Sequence, residues 1–300
     1  MSGVGEVIGI VGLGVMGSAM AGHLLDGGFT VVGHDIDPAK VEALVARGGR
    51  GSVSGTDVAE RAGMVLLSLP SVGALATAAA EVAAGAHPGL LVLEMGTLPL
   101  DAKHAARQTL AEVGVELMDV PVSGTGLQAA DATLVVFASG SEDGYRRAVP
   151  VFETIAKSSY HLGEFGHGSI MKYIANLLVS VHNLATAEAH ALGIAAGLDP
   201  ALVQEVMSAG VGASKILDIR GPMMVADEYL PPSARLDIIL KDAGIIRDYA
   251  RSVGAPTPLL DAAIPIYEDS QRSGLGDLDA AALCRYLEQT AGLTRPGGAA

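Results

Sequence analysis

Positive charge is scarce in this sequence: 19 Lys and Arg stand against 33 Asp and Glu, a formal net charge of -14 over 300 residues. A field of that sign repels nucleic acid and anionic membrane surfaces, so neither is an expected partner, and any anionic ligand has to be held by local groups. Cysteine is reduced to Cys284, which rules out an internal disulfide framework and fits a reducing, cytoplasmic setting. In a terminal helical segment that thiol reads as buried and inert. No apolar run reaches about 18 residues without interruption, and the first residues lack the charged flank and cleavage pattern of a signal peptide. A spanning helix and secretion are therefore not expected. The 8 histidines show no metal-ligand spacing with carboxylates or thiolates, so no metal site is expected. There is no Gly-x-Ser-x-Gly elbow, and Ser123 has no evident His and acid partner, which disfavours nucleophilic hydrolysis.

What is present is 50% hydrophobic residues and 39 glycines, a composition of tight turns and closely packed elements rather than disorder. The length suggests two domains. Residues 6–11 read as an apolar strand running into Gly12-Leu13-Gly14-Val15-Met16-Gly17 and an Ala-rich helix. In that order Gly12 permits the tight turn, Gly14 lets the backbone approach a pyrophosphate, and Gly17 lets helix pack on strand. A second strand ends at His34-Asp35, eighteen positions after Gly17. There Asp35 is placed to accept hydrogen bonds from ribose hydroxyls and to repel a 2′-phosphate, favouring NAD over NADP; a turn or helix-capping carboxylate is the plainer alternative. Strands and helices keep alternating, which means a mainly parallel, doubly wound sheet. In such a sheet ligands lie beyond the carboxyl ends of the strands, so Leu69-Pro70 and Met95-Gly96-Thr97 are either cofactor-facing loops or simple punctuation.

The strand over 115–118 leads to Asp119-Val120-Pro121-Val122-Ser123-Gly124-Thr125-Gly126. This is either an ordinary Ser-Gly loop or a cradle in which a hydroxyl and turn N–H groups hold a carboxylate. Two further strands, over 133–138 and 159–162, complete a first domain of 1–163. The rest, 164–300, reads as all helical, broken at Gly and Pro clusters, with a frayed Gly/Ala tail over 294–300. An unusually long apolar helix opens at Gly166 and reaches about Ala196. Lys172 and Asn176 lie one turn apart on one side of it, with Asn183 and His190 returning near that face. Lysine snorkelling at a helix start is one account; a proton-transfer lysine held by an amide partner is the other. Lys241-Asp242 sits on a later helix, its two side chains about 100° apart and so not required to pair; Lys241 is either a solvated charge or a reach toward the cofactor.

In these motifs the chain resembles the β-hydroxyacid dehydrogenases, over almost its whole length and in the same order. The resemblance rests on the glycine turn, on Asp119-Val120-Pro121-Val122-Ser123-Gly124, on Gly166-His167-Gly168 followed by Lys172 and Asn176, and on Lys241-Asp242. It implies a Rossmann-type domain joined by a long helix to an all-helical domain that serves substrate binding and oligomerisation, in dimers or tetramers. It also implies a catalytic Lys172, a substrate-orienting Asn176, a carboxylate-binding Ser123-Gly124 loop, and cofactor contacts from Thr97 and Lys241. The expected reaction is reversible hydride transfer between NAD and a small hydroxy acid, with Lys172 as general acid and base. A free lysine titrates near ~10.4, so this role expects surroundings that lower it. A semialdehyde or imine reductase on the same scaffold, or a non-catalytic dinucleotide-binding protein, are the rival readings. Thr125 replaces a usual glycine, Leu127-Gln128-Ala129-Ala130-Asp131-Ala132 replaces a small-residue run, and Leu177 replaces a second asparagine. These departures bear on substrate identity rather than on hydride transfer.

Overall fold

The computed structural model describes residues 6–295; the end of the expected tail, 296–300, lies outside them. The chain divides into two compact units, the first ending at Lys172 and the second beginning at Tyr173. In the first unit the elements run β1 (Val7–Val11), α1 (Val15–Asp26), β2 (Thr30–His34), α2 (Pro38–Ala46), β3 (Arg50–Gly51), α3 (Gly55–Arg61) and β4 (Met64–Leu67). They continue as α4 (Val72–Ala84), β5 (Leu91–Glu94), α5 (Leu100–Ala111), β6 (Glu116–Asp119), β7 (Val122–Ser123), α6 (Gly126–Ala130), β8 (Leu134–Ala138), α7 (Glu142–Ile155) and β9 (Ala156–His161). Side-chain oxygens cap most of the helix starts: Asp37 for α2, Ser54 for α3, Ser71 for α4 and Ser141 for α7. Each satisfies an N–H that the first turn leaves without an intrahelical partner. α1 is different, since Gly14 caps it with no side chain.

Six strands form one sheet in the order β3-β2-β1-β4-β5-β6, all parallel. The order reverses at β1, so the crevice at the carboxyl ends of β1 and β4 is the expected ligand position for this topology. The strands read as near-continuous apolar runs because both faces are covered. Ile8, Ile10, Leu66 and Leu93 pack with α1 and α7 on one face, while Val32, Val65, Val92 and Leu117 pack with α3, α4 and α5 on the other. The remaining strands do not extend this sheet. β7, β8 and β9 make a separate three-stranded sheet, antiparallel between β7 and β8 and parallel between β8 and β9. The expected Ser-Gly loop after residue 118 therefore contains a two-residue strand and a short helix, because Val122 and Ser123 pair with Val136 and Val135.

α8 (His167–Ala195) is a continuous 29-residue helix that leaves the first unit and enters the second. The second unit adds α9 (Pro200–Ala209), α10 (Lys215–Ala226), α11 (Leu236–Ser252), α12 (Pro258–Ser270) and α13 (Leu283–Ala291), and no strand among the described residues. Its main core joins Leu184, Met224, Leu236, Ile239, Tyr267, Leu283 and Cys284. Within it the far end of the polar α8 stripe does packing work. Asn183 donates to Tyr267 Oη and the Ala280 carbonyl, both at 2.9 Å, and accepts from the buried Arg220, which ion-pairs with Asp279 at 3.2 Å. His190 meets Gln204 at 3.0 Å. Cys284 is fully buried; burial and its hydrogen bond to Glu288 push the thiol up, which keeps it protonated. No helix among the described residues is long and apolar enough to cross a membrane.

Candidate active site

The turn after β1 is built as its glycines require. Gly12 has φ of +95°, and a Cβ there would meet the Ser68 carbonyl oxygen at 2.2 Å. A Cβ on Gly17 would stand 2.0 Å from the Gly12 oxygen, so α1 packs directly on the turn. Gly14 is the opposite case, with no atom within 4 Å of its Cβ position. Open space thus lies over the N-terminus of α1, whose first amides no side chain caps. Such a terminus carries partial positive charge and free donors, so this cradle fits a dinucleotide's pyrophosphate. Leu13 N–H donates to Asp35 Oδ2 at 2.7 Å, tying the end of β2 to the turn. Burial pushes the Asp35 carboxyl up, but N–H donors from Asp37 and Leu13 and the Lys40 ammonium at 3.5 Å outweigh it and hold the carboxyl below its usual range. An open, mainly apolar cavity of about 820 Å³, lined by Asp35, Ile36, Val41, Val45 and Val53 among others, lies beside this carboxylate.

The expected loops converge here. Leu69 lies against Gly12, and the Leu69 carbonyl is 3.2 Å from the Cβ position of Gly96, so the loops carrying Leu69-Pro70 and Thr97 flank the glycine turn in order. The Ser123-Gly124 segment reaches the same region through α6. A Cβ on Gly126 would touch Val15 at 3.0 Å, and Gly124 takes φ of +146° as the chain leaves β7. Gln128, in place of a smaller residue, folds back to accept from Thr125 N–H at 3.0 Å and lies 3.2 Å from the Gly124 Cβ position.

The first turn of α8 is gripped from the sheets. Ser139 Oγ accepts from Gly166 N–H at 3.2 Å and Gly168 N–H at 2.9 Å. Asp119 Oδ2 accepts from Ser169 N–H at 2.7 Å, and Asp119 Oδ1 from Ser169 Oγ at 2.8 Å. A carboxylate accepting from one amide of a helix start complements the helix dipole, and the Ser139 hydroxyl satisfies two more amides beside it. Gly168 is glycine because a Cβ would stand 2.3 Å from the Phe137 carbonyl oxygen. Lys172 follows one turn later, and its side chain is buried.

In the second unit Asn176 and Lys241 meet on one carboxylate. Asn176 Nδ2 donates to the buried Asp242 at 2.8 Å, and Lys241 Nζ ion-pairs with Asp242 at 3.1 Å. Adjacent positions on a helix point about 100° apart, yet the long lysine chain folds back far enough to pair.

Sequence reasoning missed Glu94, Lys103, Ser139 and Ser169. Lys103 is completely buried on α5 and donates to the Gly96 carbonyl and to Asp119 Oδ1, each at 2.8 Å. It also lies 2.5 Å from Glu94 Oε2, an ion-pair distance on a line too bent to count as a hydrogen bond. Desolvation raises the Glu94 carboxyl despite Lys103, whereas for Lys103 the two carboxylates overcome desolvation and hold the ammonium protonated. Nothing local distinguishes Lys103 from the exposed charges of an amphipathic helix. A lysine two residues past Pro99-Leu100-Asp101 reads as solvated until the fold closes over it.

Residues 7–163 match the family model described as the NAD binding domain of 6-phosphogluconate dehydrogenase. Residues 166–287 match the model described as NAD-binding of NADP-dependent 3-hydroxyisobutyrate dehydrogenase. L-threonate dehydrogenase of Cupriavidus necator is 34% identical over 296 residues, 97% of this chain and 98% of that protein. 2-(Hydroxymethyl)glutarate dehydrogenase of Eubacterium barkeri is 30% identical over 294 residues, 97% of this chain and 98% of that protein. A crystal structure of 3-hydroxyisobutyrate dehydrogenase from Salmonella typhimurium superposes with a TM-score of 0.86 at 29% identity, covering 94% of this chain and 99% of the other.

Proposed function

Since the chain belongs to the β-hydroxyacid dehydrogenase family and is a nicotinamide-dependent oxidoreductase acting on CH–OH groups, we propose that Lys172 carries its proton transfer on a small, 3-hydroxyisobutyrate-like hydroxy acid. The model matched by residues 7–163 and the Asp35 carboxylate support NAD as the cofactor, while the model matched by residues 166–287 names an NADP-dependent enzyme; when bound, the nicotinamide would supply hydride acceptance or donation at the hydroxyl carbon. Gly12, Leu13, Gly14, Val15, Met16 and Gly17 would hold its pyrophosphate, Asp35 its ribose hydroxyls, and Leu69, Pro70, Thr97 and Lys241 its remaining length.

The substrate carboxylate is assigned to Ser123 and Gly124, where a hydroxyl and a turn amide offer the local donors that an acidic chain needs. In the oxidation direction neutral Lys172 takes the proton of the substrate hydroxyl; in reduction its ammonium gives a proton to the carbonyl oxygen. Asn176, fixed by Asp242, orients the substrate oxygen without adding charge. The relatives' names, threonate, hydroxymethylglutarate and hydroxyisobutyrate dehydrogenases, support a hydroxy acid with a carboxylate beyond the reacting carbon.

The observation that carries this reading is the position of Lys172: a buried amine on a helix whose first turn is locked in place by Asp119 and Ser139. Lys172→Met should cut turnover by about 10²-fold or more while leaving NAD affinity nearly unchanged. Single-turnover hydride transfer at saturating hydroxy acid measures the first, and NADH fluorescence titration the second. A near-normal rate would dismiss the role.

A further inference from the structure

We propose that Lys103 is a positioning residue for hydride transfer, a buried ammonium that fixes the Gly96-Thr97 loop and the Lys172-bearing turn of α8 relative to each other. The inference rests on the reading that Lys172 transfers the proton. An ammonium has three donors and no acceptor. Here two of them are taken up as hydrogen bonds, by the Gly96 carbonyl and by Asp119 Oδ1, each at 2.8 Å, and Glu94 Oε2 stands at ion-pair distance, 2.5 Å away. A charge stripped of water is held only where it is paired and hydrogen-bonded, so its position leaves little slack.

Each acceptor leads to a different part of the site. Glu94 Oε1 accepts from Gly96 N–H at 2.8 Å, so both the N–H and the carbonyl of Gly96 are tied to this cluster, and Thr97 follows directly. Asp119 holds Ser169 by N–H and by hydroxyl. Ser169 and Lys172 are three residues apart on α8 and share a side of the helix. Rotation or slippage of that turn re-aims Lys172, and a misplacement of about 1 Å can cost roughly 10²-fold in rate. Lys103 supplies a positive charge between Glu94 and Asp119, which without it repel each other across a dry interior.

The test compares Ser169→Ala, Ser169→Thr, Lys103→Met, the Lys103→Met/Ser169→Ala double variant and Lys172→Met as the full-length protein, with steady-state kinetics in NAD and hydroxy acid and thermal unfolding. Ser169→Ala removes only the hydroxyl bond to Asp119. It should lower kcat about tenfold with KM for NAD within about twofold, and Ser169→Thr, which keeps a hydroxyl, should restore kcat to within about twofold of the parent. Lys103→Met should lower kcat at least as far and also raise KM for NAD, because the Gly96 loop is released. The double variant should be no slower than Lys103→Met, since the two act through one linkage. If Lys103→Met does not fold, the Ser169 pair decides alone. A Ser169→Ala enzyme that loses thermal stability but keeps kcat, or a Ser169→Thr enzyme that stays as slow as the alanine variant, overturns the proposal. An unimpaired Lys172→Met enzyme instead overturns the assignment of Lys172 on which the proposal stands.

Discussion

Asp35 shows how much one side chain can decide. Its carboxylate closes the glycine turn through Leu13 N–H, and under the proposed function the same group would also accept from the ribose hydroxyls. With its folded pKa below an unfolded value of about 3.9, its stabilising contribution is in place above about pH 4 and is lost as pH falls through the depressed value. Asp35→Asn should therefore unfold at lower temperature than the parent at pH 6, with the gap shrinking toward pH 2.5. A gap that stays constant across that range would show that the charge is not responsible. The same variant no longer repels a 2′-phosphate and keeps Lys40 close by. Its kcat/KM ratio for NAD over NADP should fall about tenfold or more. The strand–turn–helix that carries Asp35 and the glycines was legible in the sequence because it depends on neighbours a few positions away or on a fixed interval. Lys103 was not, because it lies on α5 while its partners Glu94 and Asp119 arrive from the ends of two strands, β5 and β6.

At the scale of elements, the β1–α1 turn separates two kinds of glycine that look identical in sequence. Gly17→Ala drives a methyl to 2.0 Å from the Gly12 oxygen, so α1 must shift, at a cost of about 1–3 kcal/mol. Gly14→Ala meets no protein atom within 4 Å, and Gly14 already has φ of -68°, which alanine adopts without strain. The Gly14 variant should keep its melting temperature and lose NAD affinity about tenfold or more, while the Gly17 variant loses both. Thermal melts with and without NAD read the difference. Periodicity located the long helix closely: the expected span to about Ala196 is α8 (His167–Ala195). It did not reveal that this helix start is capped from outside by Asp119 and Ser139, since no local residue signals a partner some thirty to fifty positions earlier. β7 and α6 escaped for a related reason. A two-residue strand carries no period of its own and exists only because β8 offers it a partner.

At the scale of the molecule, strands alternating with helices and a strand-free second half were enough to give the architecture, because layer packing follows from which faces are apolar. The division into a six-stranded and a three-stranded sheet was not legible, since it depends on where β7 leaves the edge of the main sheet rather than on any strand's composition. The cluster of Glu94, Lys103 and Asp119 has a consequence that extends to the folding reaction itself. Burial raises the Glu94 carboxyl, so from about pH 4.3 up to that raised value the native chain holds a proton that the unfolded chain has released, and stability falls as pH rises through that window. Refolding there draws protons from the medium. Its calorimetric enthalpy should then differ between two buffers of unequal ionisation heat at the same pH, and Glu94→Gln should bring the two values together.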